Sequence, residues 1–318
     1  SFNKAVQICA IFTKDDAENP FENYKKTLEF FKANVSLPIN DLTKEHTILL
    51  SCEGLSILQG NPQRVYELFS DGIRTTCLTW NGENDLAGGV LTDSGLKEKG
   101  RQVIGILNEL GMALDLSHLN DKSFFDAVQM AKHPLATHSN SRFICDNKRN
   151  LTDIQLKLIK EKEGIVGLNF YPPFLNGKDV FKNIYLNIEH MLELGLENTI
   201  AIGSDFDGVK MSKELDRQIK TQRLYDFLLK MGINREILDK IFYCNAMNFY
   251  KKLFDNISRS SIFIFKNDVY KFRSFSMQRR QNKKKICKRI SMESTNSRFI
   301  LVFRRFWNRL SRNQEKCI

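Results

Sequence analysis

The 318-residue chain reads as an α/β protein folded as a (β/α)8 TIM-type barrel, and three features carry that reading. Apolar, β-branched runs alternate with amphipathic stretches of about ten to fifteen residues, which is how βαβ units around a parallel sheet are written. Seven such units fit within about 250 residues, the usual length of this barrel and more than an open doubly wound sheet explains. Polar residues that bind metals or carry protons recur where the apolar runs end, at the strand ends from which barrels assemble their sites.

The expected strands, in order, are "AVQICAIF" (5–12), "HTILLSCEG" (46–54), "IRTTCLTW" (73–80), "MALDLSH" (112–118), "PLATHS" (134–139), "GIVGLNFY" (164–171) and "TIAIGSDFDG" (199–208). Helical periodicity marks 21–34, 62–71, 95–111, 121–132, 152–163, 181–195, 219–231 and 234–254, so each strand is followed by at least one helix. An eighth strand is not accounted for. It is expected to be the first, lost before Ser1, which would leave the barrel with an open seam.

Charge and composition divide the chain near residue 255. The net charge is +11, but residues 255–318 hold 17 Lys or Arg against 4 Asp or Glu, while residues 1–254 hold 31 against 33. All 17 Gly and all 6 Pro also precede residue 255. The expected organisation is therefore a barrel domain over 1–254 and a basic tail over 255–318, disordered or irregular. In the tail, "RRQNKKKICKRI" and "FRRFWNRL" mix basic and aromatic residues, as footprints for nucleic acid or an anionic membrane do. Seven cysteines without CxxC spacing, most of those in the body within apolar runs, indicate reduced thiols and a cytoplasmic setting. The apolar stretches all fall short of the roughly 20 residues that a membrane helix needs.

Five strand ends carry Glu53, His118, His138, Asn169 and Asp205. His118 and His138 would lie on successive strands about 4.8 Å apart, facing one mouth. Two imidazoles and a carboxylate suit Zn²⁺, which takes nitrogen and oxygen ligands and keeps a position open. His46, His133 and His190 read instead as structural or solvated groups.

The stretches "EGLSILQGN", "LTWNGENDLAGG", "GMALDLSHLND", "ATHSNSRFICDNKRNLTDIQLKLIKEKEGIVGLNFYPPFL" and "IEHMLELGLENTIAIGSDFDGV" resemble the renal (membrane) dipeptidase family, peptidase family M19, from about Lys4 to Phe254. That resemblance implies a binuclear zinc barrel that hydrolyses dipeptides and often dimerises. Glu53 matches the carboxylate bridging the two ions, and His118 and His138 match the imidazole ligands of the second. Arg149 matches the arginine that holds the substrate's terminal carboxylate, for which a planar five-donor fork suits better than lysine. Asp205 matches the catalytic acid/base, and Asn169 and Trp80 are expected beside the substrate. Asp207 is expected to brace its loop.

Two departures qualify the resemblance. The family's His-x-Asp pair at the end of the first strand occurs nowhere in the chain, so one well-ligated zinc is expected rather than two. Trp80 stands where characterised dipeptidases often have a histidine; either specificity has shifted, or a neighbour takes that role, or the indole packs the mouth. The readings left open are a zinc dipeptidase, an impaired or non-catalytic relative, and a binding protein acting through its basic tail.

Overall fold

The computed structural model describes residues 4–14, 16–267 and 299–306. Among the described residues, eight strands form one sheet: β1 (Lys4–Phe12), β2 (His46–Glu53), β3 (Ile73–Cys77), β4 (Ala113–Asp115), β5 (Pro134–Leu135), β6 (Val166–Asn169), β7 (Ile200–Phe206) and β8 (Phe299–Phe306). Their order is β5-β4-β3-β2-β1-β8-β7-β6, and every pairing is parallel. The two outer strands of that order also meet. Ala136, just past β5, bridges Val166 of β6, with Ala136 N donating to Ile165 O (2.9 Å) and Gly167 N donating to Ala136 O (2.7 Å).

The helices are α1 (Pro20–Asn34), α2 (Val65–Asp71), α3 (Glu98–Leu110), α4 (Asp121–Met130), α5 (Asp153–Glu161), α6 (Val180–Glu193), α7 (Thr221–Lys230), α8 (Arg235–Asp239) and α9 (Asn245–Asn267). Local chemistry sets several of their starts. Asn120 caps α4 by accepting from Ser123 N, and Thr152 and Gln155 form a reciprocal capping box at α5. The helix expected over 234–254 is instead α8, a π turn over Lys240–Cys244, and α9 running through position 254.

Both faces of β1 are buried, as is usual in parallel sheets. Ala5, Cys9 and Ile11 of β1 join the larger cluster shared with the surrounding helices, whereas Val6, Ile8 and Ala10 join a second cluster. That second cluster combines Leu49, Ala113, Leu135, Ile165 and Ala201 with Met247, Phe249, Tyr250 and Leu253 of α9. Tyr250 Oη lies 3.1 Å from Thr75 Oγ1 of β3.

Two expectations are corrected here. The seam is filled: β8 pairs with β1 from Lys4↔Phe299 to Ile11↔Phe306 and with β7 at Ser204↔Phe303 and Phe206↔Arg304. The segment after 254 is accordingly not irregular throughout, since it completes α9 and supplies β8, an alternation-free apolar run "FILVF" suited to a strand with neighbours on both sides. The basic stretch 279–290 and residues 307–310 of the second basic stretch lie outside the described residues.

The strand expected over 134–139 ends at Leu135, and the one over 112–118 ends at Asp115. The reason is one side chain. Asp115 Oδ1 accepts from Ser117 N (3.0 Å) and Thr137 N (3.0 Å), so these amides leave the ladder and turn their loops across the sheet's carboxyl edge.

Candidate metal centre

Glu53 ends β2, His118 follows β4 and His138 follows β5, so the three side chains meet at one edge of the sheet. Their ligand atoms all lie within 4.8 Å of one another, and all three residues are buried. His118 Nε2 lies 2.8 Å from Glu53 Oε1 and 2.8 Å from His138 Nε2; His138 Nε2 lies 3.8 Å from the same Glu53 oxygen.

The second nitrogen of each imidazole decides what the first presents. His118 Nδ1 lies 2.8 Å from Asn81 Oδ1, an acceptor only, so in the neutral ring Nδ1 carries the proton and Nε2 the lone pair. His138 Nδ1 lies 2.7 Å from Thr137 Oγ1, whose hydroxyl donates to Asp115 Oδ2 (2.5 Å) and therefore accepts from Nδ1. Two lone pairs and a carboxylate oxygen thus converge on one point, an arrangement that a cation among them favours. Tetrahedral zinc sets nitrogen and oxygen donors about 3.3 Å apart, within the observed spread. The residues fit a divalent metal ion.

Backbone conformation singles out the same place. His118 (φ 73°), Ser204 (φ 55°) and Asp205 (φ 69°) are left-handed, each costing about 1–3 kcal/mol, and Gly54, directly after Glu53, has φ 93°. Asp207, two residues on, is also left-handed (φ 64°). Gly167 and Gly203 act by close approach, because a Cβ at either would collide with the Thr137 carbonyl oxygen. Their absent side chains let β6 and β7 draw against the residue preceding His138.

The remaining expected residues surround this cluster. Arg149 is buried, with Nη2 3.4 Å from His118 Nε2 and its guanidinium carbon 5.6 Å from the Phe174 ring centroid. Burial pushes its pKa down, and the charges of Asp205 and Glu53 pull it back up. Asn169 Nδ2 donates to Asp205 Oδ2 (3.2 Å) and to His138 O (3.4 Å), while its Oδ1 accepts from Tyr171 N (2.8 Å). The Asn169 amide is thereby engaged within the protein, as a brace between Asp205 and the His138 loop. Trp80, half-buried, stands edge-on to Phe12 at 5.1 Å and 6.3 Å from the His118 ring.

The other histidines lie apart from this cluster. His46 is exposed, His133 is half-buried with a pKa lowered by burial, and His190 pairs with Asp153 (2.8 Å) and stacks on Phe143 at 4.4 Å. Sequence reading passed over Asn81, Asp115, Thr137 and Asn140. Asp115 had a visible signal, an acid inside the otherwise apolar "MALDL" run. Asn140 had none, although its Oδ1 accepts from Asn169 N (3.0 Å) and its Nδ2 donates to Asn169 O (3.0 Å).

A parallel α/β sheet with a buried His/His/carboxylate cluster at its carboxyl edge defines a class of proteins with a candidate metal site. Residues 12–260 match the membrane dipeptidase family, peptidase family M19, and the chain belongs to that family. It is 32% identical over 216 residues to an uncharacterised protein in the pqqA 5′ region of Klebsiella pneumoniae, covering 63% of this chain and 80% of that one. It is 29% identical over 218 residues to dipeptidase tcpJ of Claviceps purpurea (strain 20.1), covering 65% of this chain but only 51% of that protein. The fold is similar to that of the crystallised dipeptidase AC, an M19 metallopeptidase (TM-score 0.72, 23% identity, 77% of this chain and 85% of that chain).

Proposed function

We propose that this protein is a zinc-dependent dipeptidase, built on a (β/α)8-type barrel that the Ala136–Val166 bridge closes and β8 completes. One observation carries the reading: both imidazoles turn Nε2 toward Glu53 while Nδ1 is held by Asn81 Oδ1 or Thr137 Oγ1, beside a buried arginine. Glu53, His118 and His138 would hold the ion, in one well-ligated site. When bound, such an ion acts as a Lewis acid toward the scissile carbonyl and makes water acidic enough to attack near neutral pH.

The chain's own residues supply the rest. Arg149 would bind the dipeptide's terminal carboxylate with its two-pronged guanidinium, a strong contact in a buried setting. Asp205 would take a proton from the attacking water and return it to the leaving amine. Asn169 orients Asp205 through the 3.2 Å contact to Oδ2. Trp80 and Phe12 would wall the mouth against bulk water.

The experiment measures bound zinc and dipeptide hydrolysis in the wild type, His138→Ala and His190→Ala. The expected result is zinc and turnover in the wild type and in His190→Ala, with both lost in His138→Ala. Equal zinc loss from the two variants would overturn the assignment. A second reading, a non-catalytic relative, is favoured by the β8 sequence, "FILVFRRF", which has no His, Asp, Glu or Cys. Zinc retention without turnover on any dipeptide would select it.

A further inference from the structure

We propose that Asp115 is a positioning residue for the metal centre, acting on His138 through the Thr137 hydroxyl and on both histidine loops through their amides. The inference rests on reading Glu53, His118 and His138 as that centre. Asp115 is buried at the end of β4 and has four donors on its two oxygens. Oδ1 accepts from Ser117 N and Thr137 N, each at 3.0 Å. Oδ2 accepts from Thr137 Oγ1 at 2.5 Å and from Cys77 Sγ at 3.1 Å. Burial first, then the Asp115 and Glu53 charges, push the Cys77 thiol well above its ordinary pKa, which keeps it a donor.

These contacts have a consequence that packing alone would not produce. Ser117 and Thr137 each immediately precede a histidine, so one carboxylate fixes the take-off of both loops, including the left-handed His118. The Thr137 hydroxyl has one hydrogen, and Asp115 claims it. Thr137 Oγ1 then meets His138 Nδ1 only as an acceptor, which places the ring proton on Nδ1 and leaves Nε2 unprotonated toward Glu53. Replacing the carboxylate with an amide, Asp115→Asn, reverses the chain. The new amide N–H would donate to Thr137 Oγ1, freeing the hydroxyl hydrogen for Nδ1 and moving the imidazole proton to Nε2, where it blocks a metal.

The test uses nitrogen-15 NMR of the His138 ring in metal-free protein at about pH 8, where an ordinary imidazole is neutral, together with Zn²⁺ affinity by chelator competition. The expected wild-type tautomer has Nδ1 protonated and Nε2 bare. Asp115→Asn is expected to invert it, and Thr137→Val, nearly isosteric, to lose the preference. Both are expected to weaken Zn²⁺ binding about 10- to 100-fold, and Thr137→Ser to restore it, because the hydroxyl is what matters. A protonated Nε2 in the wild type overturns the proposal, whatever the variants do. So does a Thr137→Ser variant that loses zinc as Thr137→Val does, since the role would then be packing. If the wild type shows the expected tautomer yet binds no zinc, the metal reading fails while the Asp115–Thr137–His138 relay stands.

Discussion

The edge of the sheet over β2 to β5 and the junction β7-β8-β1 do opposite work with similar backbone. On the first side, three strands lead into Glu53, His118 and His138, and each imidazole is oriented by a second polar residue, Asn81 or the Thr137–Asp115 pair. On the other side, β8 is eight residues long and pairs with β1 along its whole length, yet its sequence contains no metal-ligating residue type. One region commits its polar groups to a buried site, where each must be partnered. The other contributes continuity of hydrogen bonding to a sheet that would otherwise expose two strand edges. The candidate site and the continuity of the sheet are therefore separable in this protein, and variants on the two sides should fail differently.

The largest effect is expected from removing residues 299–318. β1 and β7 would lose their shared neighbour, and at about 1 kcal/mol for each backbone hydrogen bond the loss should lower the urea midpoint clearly. If deletion leaves the midpoint unchanged, β8 contributes nothing to the stability of the sheet. Next comes Arg149→Lys on the opposite side, which should leave the urea midpoint nearly intact. It should raise KM for dipeptides by about tenfold or more, because a point charge replaces a two-pronged contact. An unchanged KM would remove Arg149 from carboxylate binding.

The smallest effect sharpens the first region. Arg142, in the loop after His138, makes paired 2.8 Å bonds to Asp121 at the start of α4, clamping the loops that follow the two histidines. Those bonds hold the Asp121 carboxyl below its ordinary pKa of 3.8. A depressed folded-state value stabilises the protein above the ordinary pKa, and that contribution fades as pH falls through the folded value. Arg142→Ala should therefore cost about 1 kcal/mol or less at neutral pH, for a pair exposed on the acidic side. The cost should shrink below pH 3.8, as read from urea unfolding at several pH values. A cost that persists in acid would mean the clamp is packing rather than charge.

Much of this was legible in the residues. The seven strands from β1 to β7 and the helices between them follow from hydrophobic periodicity, and Glu53, His118 and His138 stand out because polar groups end apolar runs. Their boundaries were less legible. β4 and β5 stop early because a side chain, Asp115, takes amides that a ladder would otherwise use.

What the order of residues encodes locally, it encodes well: which segments are strands, which helices bury one face, and which groups can bind a cation. The place of β8 is another matter, because Phe299–Phe306 must find β1 across most of the chain and β7 from beyond α9, and no local propensity records that pairing. The same holds for the protons. Whether an imidazole offers a lone pair depends on what its other nitrogen touches, and Asn81 lies 37 residues before His118 while Asp115 acts on His138 through a neighbour. Such contacts exist only once distant segments are packed together and water has been excluded from between them.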